Sequence, residues 1–150
     1  MIELSGLAAA DVVARLGLVP LPGEGGYWKD GFRTNEMNSI LFLMTDSSEG
    51  FSALHRLKIT EGWQWLAGAP VRMLQFKSAA DAAVKVLNEK NSQTVVPVDT
   101  WQAARTLGDW SLVSCWCAPQ FTDDVFELGN RQSLINDFPE ITNLIEEFTR

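Results

Sequence analysis

Apolar positions along this chain recur at two different periods. Ala9, Val12, Val13 and Leu16 fall at helical spacing, Ser5 precedes them as a capping side chain and Gly17 supplies a stop, which predicts an opening helix from Ser5 through Leu16. Leu18 to Gly26 then combines prolines and glycines with closely flanking apolar residues and reads as an ordered loop. From Tyr27 the period falls to two. Asn38–Met44, Gly50–Lys58, Gly62–Ala67, Val71–Phe76, Thr94–Val98 and Ser111–Cys117 are short, rich in β-branched or aromatic residues and bounded by turn residues, so each reads as a strand. Ser78–Asn91 fits two patterns, because its alanines favour helix while Ala82–Leu87 also alternates; strand is the reading adopted. Near the end, Ile141, Leu144, Ile145 and Phe148 repeat at helical spacing, with Pro139 in the expected first turn of a closing amphipathic helix.

Many short strands with a helix at each end predict a mainly β fold, a sandwich or barrel, in one domain over residues 1–150. A chain of 150 residues suffices for a complete core, since roughly 68–70% of the unfolded surface is buried at this size. Lys and Arg number 12 against 19 Asp and Glu, a net charge of −7, and the basic residues are scattered singly. That distribution argues against nucleic acid, which needs clustered cations. Apolar runs such as Ile40–Met44 are far shorter than the roughly 20 residues of a membrane-crossing helix, so no membrane partner is expected. Residues 1–11 show no basic leader with an apolar stretch, and Cys115 and Cys117 stand two apart on a predicted strand, a poor arrangement for a disulfide. A reduced, cytoplasmic protein is the resulting expectation. With one histidine in the chain, a Cys-x-Cys zinc site would need carboxylates to complete it.

Chemistry concentrates between Gly50 and Gly68. His55, Glu61 six positions on, and Gly68 after six further residues resemble the first motif of the cupin superfamily, in which H-x-H is followed by a glutamate and a glycine. The second motif, P-x-G, two residues, H, can be laid on Pro97-Val98-Asp99-Thr100-Trp101-Gln102. Cupins are double-stranded β-helices, that is, jelly-roll barrels, in agreement with the strand pattern. Their metal is held by both histidines and the glutamate of the first motif and the histidine of the second. Here the second histidine is Leu57 and the last is Gln102. Two of the four ligands remain, so no tightly held metal and no other cofactor is expected.

Further blocks extend the resemblance over nearly the whole chain: Gly23–Trp28, Phe51–Arg56, Glu61–Gly68, Val96–Arg105, Leu112–Cys115, Ala118–Phe121 and Phe126–Leu128. Together they are similar to a cupin subfamily known as a domain of unknown function, the cupin 5 type. That group usually has histidine where this chain has Gln64. The resemblance implies a dimeric barrel with a small-molecule pocket, and relatives that include sugar-nucleotide epimerases. A homodimer also follows from the edge strands that such sheets leave unpaired.

Alternation with Ala53 and Leu57 turns His55 inward, either as a core histidine or as a pocket residue. Glu61, at a strand start, is either solvated or in the lumen. A buried His beside a buried Glu would shift each other's pKa and could move a proton at neutral pH, the minimum for isomerising a carbon next to a carbonyl. Gln102 and Gln64 stand where related proteins place imidazoles and are candidate ligand contacts. Trp63 shares the strand face of Glu61 and is a candidate stacking platform; Arg33 is the candidate for an anionic ligand group. Gly23–Gly26 lacks the Gly-Lys-Ser/Thr ending and the following helix of a phosphate loop. Two readings follow: an acid–base enzyme of the isomerase or epimerase type, with His55 and Glu61 acting on a small polar, carbohydrate-like molecule without tightly bound metal, or a non-catalytic binding protein that has lost its metal site.

Overall fold

A computed structural model describes residues 3–150; residues 1 and 2, part of the opening segment read above, lie outside the described residues. The two-residue period resolves into two antiparallel sheets. One contains β1 (Val19–Pro20), β2 (Tyr27–Arg33), β3 (Asn38–Thr45), β5 (Thr60–Gly68), β8 (Gln93–Val96) and β10 (Trp110–Ala118), in the order β1-β2-β3-β10-β5-β8. The other contains β4 (Ser52–Leu57), β6 (Val71–Phe76), β7 (Ala83–Leu87), β9 (Trp101–Thr106) and β11 (Phe126–Leu128), in the order β11-β4-β9-β6-β7.

Strand alternation sorts most apolar side chains to one side or the other of each sheet. Phe42, Met44, Trp63, Met73, Ala104 and Val113 meet between the sheets. Their strand neighbours point outward. Leu43 and Leu112 receive Val12 of α1 (Ala9–Leu16) on the outside of the first sheet. Leu54, Leu74 and Ala103 receive Leu134 of α2 (Arg131–Asp137) and Ile145 of α3 (Thr142–Glu147) on the outside of the second. Both sheets are thus sealed outside by helices, which leaves the interior between them as the place for polar chemistry.

Most expected strands appear within a residue or two of their sequence limits, and Ser78–Asn91 does contain one, β7, preceded by a 3-10 turn at Ala79–Asp81. That turn explains the helical flavour of the alanines: the Asp81 carboxylate accepts from the backbone N–H groups of Lys77 and Ser78 at 2.9 Å each. Two expectations need correction. Ser5 does not cap α1, which begins at Ala9 after an uncapped Ala8, because the chain turns at Gly6 with φ 75°. The closing helix is shorter than its apolar period, since Pro139 sits in a separate 3-10 turn, Pro139–Ile141, and α3 starts at Thr142. Between the last strand and that turn lies α2, capped by Asn130, whose side chain accepts from the Ser133 N–H; its single buried residue, Leu134, is too weak a period to read.

Strand β9 also went unread, although it is central to the second sheet and carries Gln102. Its sequence, Trp-Gln-Ala-Ala-Arg-Thr, has no β-branched residue before its end. Entry into it is set by Asp99, which occupies the glycine position of the second motif and takes the left-handed φ of 59° that a glycine would.

Candidate functional site

Pairing between strands brings the motif residues together. His55 of β4 lies opposite Gln102 of β9 in the second sheet, and Glu61 of β5 lies opposite Cys117 of β10 in the first. Across the interior, Gln102 Nε2 donates to Glu61 Oε2 at 2.6 Å. Trp63 Nε1 donates to Gln102 Oε1 at 3.0 Å. An indole N–H can only donate, so this bond fixes which end of the Gln102 amide faces Glu61. Glu61 Oε2 is therefore an acceptor, and any proton on the carboxyl group resides on Oε1.

His55 is 2% exposed, and its ring stacks on Phe126 at 5.4 Å between centroids. Its Nδ1 lies 2.8 Å from the carbonyl oxygen of Ala53, a partner that can only accept. The Nδ1 proton is thereby assigned, and in the neutral ring Nε2 carries the lone pair. Facing Nε2 at 3.8 Å is Oε1 of Glu24. Ser52 Oγ donates to the same Glu24 oxygen at 2.7 Å.

These groups open on a cavity of about 440 Å³. His55, Glu61 and Glu24 contribute polar atoms to it; Trp28, Ile40, Phe42, Leu57 and Phe126 supply much of its apolar wall. Burial pushes the Glu61 carboxyl from 4.5 up to about 7, and the neighbouring Glu24 charge adds to the rise, while His55 and the hydrogen bond from Gln102 oppose it. Cys115 and Cys117 line the same wall, and burial, followed by the charges of Glu61 and Glu24, raises both thiols, so they stay protonated at neutral pH.

Of the other candidate residues, Arg33 reaches the cavity and Trp63, Gln102 and Gln64 do not. Trp63 is 1% exposed and sits one layer below the cavity wall, edge-on to Phe42, with its N–H spent on Gln102. Gln102 is fully buried behind Glu61 rather than on the cavity surface. Gln64 alternates with Trp63 on β5 and meets Gln93 of β8 at 3.4 Å, away from the cavity. Arg33 stands exposed at the rim, where Nη1 donates to Gln120 Oε1 at 3.0 Å and to the Phe121 carbonyl at 2.8 Å. Glu24 was missed. Its signal was an acidic residue in the glycine loop Gly23–Gly26, and it reaches the barrel because that loop is tied down: Arg150 Nη1 donates to the Glu24 carbonyl and Nη2 to the Phe51 carbonyl, both at 2.8 Å.

A cupin metal would fall on His55, Leu57, Glu61 and Gln102, and the residues present do not fit it. Leu57 has no donor atom, the Gln102 oxygen is occupied by Trp63 and its nitrogen by Glu61. Among the described residues no group of three or more His, Cys, Asp or Glu side chains is disposed to hold a metal ion.

Solved structures share this architecture. A protein from Shewanella oneidensis is 26% identical with a TM-score of 0.86, covering 96% of this chain and 98% of its own. A hypothetical protein from Leishmania major is 25% identical with a TM-score of 0.84, covering 95% and 99%. Oxalate decarboxylase from Bacillus subtilis shares the fold alone, at 10% identity and a TM-score of 0.63; this chain covers 40% of that one. No curated protein matches the chain significantly. The sequence pattern of the family described as Cupin superfamily (DUF985) matches residues 10–129, from within α1 to the glycine after β11, and the chain belongs to that family.

Proposed function

We propose that the barrel cavity binds a small polar molecule and that His55 and Glu61 exchange a proton with it at a carbon next to a carbonyl group, as an isomerase or epimerase does. The observation carrying this reading is the Glu61 carboxyl, poised at about 7 in the same apolar cavity as an imidazole whose Nε2 is turned inward. His55 Nε2 takes the proton from the carbon beside the carbonyl; Glu61 Oε1–H gives its proton to the carbonyl oxygen and takes one back from the neighbouring hydroxyl; His55 then returns its proton to the former carbonyl carbon, which completes the isomerisation. Both groups end as they began, so no cofactor is consumed. Gln102 positions Glu61, and Trp63 positions Gln102.

Deuterium uptake tests this directly. Uncharged and amino-substituted keto sugars incubated with the protein in D2O are expected to exchange the hydrogen beside the carbonyl in the proton NMR spectrum. His55→Ala and Glu61→Gln are expected to slow that exchange by about 10²–10⁴-fold, the usual contribution of a positioned acid or base. Retained binding without exchange in any candidate would leave the non-catalytic binding protein as the function.

We also infer that the protein works as a homodimer. The reading is supported by two edge strands that carry exposed valines, β7 with Val84 and Val86 and β8 with Val95. Light scattering should give twice the single-chain mass of 16.7 kDa; the single-chain mass at micromolar concentration would overturn it.

A further inference from the structure

We propose that the ligand of this cavity carries a protonated amino group, received by the Glu24 carboxylate, and that the site disfavours carboxylates and other anions. The inference rests on reading the cavity as a small-molecule site and names the class of molecule.

Its first support is an imbalance of charge. Glu24, Asp30, Glu61 and Asp123 line the cavity, against one guanidinium, that of Arg33. Arg33 is turned toward Gln120 and the Phe121 carbonyl at the rim. Arg150 approaches the Glu24 loop, but its guanidinium is directed to main-chain carbonyls and to the Glu49 carboxylate rather than to the Glu24 carboxylate. Among the described residues, His55 at 3.8 Å is the one basic side chain within ion-pair distance of that carboxylate, whose side chain is only 16% exposed. A carboxylate so withdrawn from water, with a hydroxyl and an imidazole for company, gains from a cation delivered by the ligand.

Second is the arrangement of hydrogen-bonding atoms. Glu24 can only accept when ionised, and the Nδ1 bond of His55 leaves Nε2 as an acceptor in the neutral ring. An ammonium group donates three hydrogen bonds and suits such a surface, whereas an incoming carboxylate would place oxygen against oxygen. Third, the walls are aromatic: Trp28, Phe42, Phe121 and Phe126 all line the space, and ring faces attract ammonium groups further. The two thiols, held protonated, add no competing charge.

Position is built into the loop. Gly25 has φ 101°, and a Cβ there would collide with the Arg150 guanidinium and the Phe51 carbonyl oxygen. Arg150 therefore ties the Glu24 loop to the backbone at Phe51, and the Ser52 hydroxyl donates to the Glu24 carboxylate oxygen that faces His55.

Three probes with one ring and three head groups test the proposal: cyclohexylamine, cyclohexanol and cyclohexanecarboxylate, titrated at pH 8 into the full chain while the 15N spectrum follows the Trp28 indole. The expected order is amine first, about ten- to a hundredfold tighter than the alcohol, as a charge-assisted bond allows, with the carboxylate weakest. Glu24→Gln keeps an oxygen to accept from Ser52 and should erase the advantage of the amine over the alcohol. A carboxylate that binds as well as the amine, or an amine preference that survives Glu24→Gln, overturns the ligand class and leaves the small-molecule site standing. Failure of all three to perturb the cavity overturns both. The ranking in the unsubstituted protein is decisive even if the variant folds poorly.

Discussion

Glu61→Gln is expected to be more stable than the parent protein at pH 8 and indistinguishable from it at pH 4. The sign follows from the direction of the pKa shift. Burial raises the folded-state value from 4.5 to about 7, so between those values the native protein holds a proton that the unfolded chain releases. Stability contributed by the protonated carboxyl is complete below about pH 4.5, declines as pH rises through the window and is gone above about pH 7. The shift corresponds to about 3 kcal/mol of cost for the ionised form. Glutamine has the shape of the protonated acid, its oxygen can accept from Gln102 Nε2, and it never ionises. Thermal melts should therefore diverge with pH, with the variant about 6–12 °C higher at pH 8. Parallel curves from pH 4 to 8 would show that the Glu61 carboxyl is hydrated and not poised, and the acid–base proposal would lose its support. A gain in stability on removing a side chain is the usual mark of a group retained for function.

What the sequence disclosed and withheld has physical reasons. Strands such as β3, Asn-Ser-Ile-Leu-Phe-Leu-Met-Thr, were legible because apolar side chains on both faces match two buried surfaces. By contrast β9 was illegible because Ala103 and Ala104 are selected for close sheet packing and not for strand propensity. The pair His55 and Glu61 was legible through spacing, as was the approach of Gln102 to Glu61. Depth was not. Alternation correctly turns Trp63 to the same face as Glu61, but it cannot tell how far down the barrel that face closes, and Trp63 ends beneath the cavity wall. Gln64 faces away from the cavity on that same rule. Glu24 was hidden for a different reason: its place depends on Arg150 and Ser52, 126 and 28 positions away along the chain. A glycine loop announces only that the backbone turns, never toward what.

Gln102 links the folding problem to the chemical one, and replacing it by leucine should show how. Leucine fills similar volume but leaves the Trp63 N–H, buried with no route to water, without an acceptor, and strips Glu61 of its donor. Each orphaned group costs about 1–3 kcal/mol. Urea unfolding of Gln102→Leu should therefore show a loss of that order, with an unchanged dependence on urea concentration. Trp63→Phe removes the donor instead. The double variant should be less damaged than the two single losses summed, because deleting both partners strands only Glu61. Glu61 itself gives a second reading. The bond from Gln102 lowers its pKa, so the leucine variant should hold the Glu61 proton to still higher pH, visible as an upward displacement of the carboxyl carbon titration. Additive losses and an unmoved Glu61 would mean that Gln102 merely occupies space. Coupled losses with a displaced titration identify it as the residue through which the barrel core sets the protonation of its cavity.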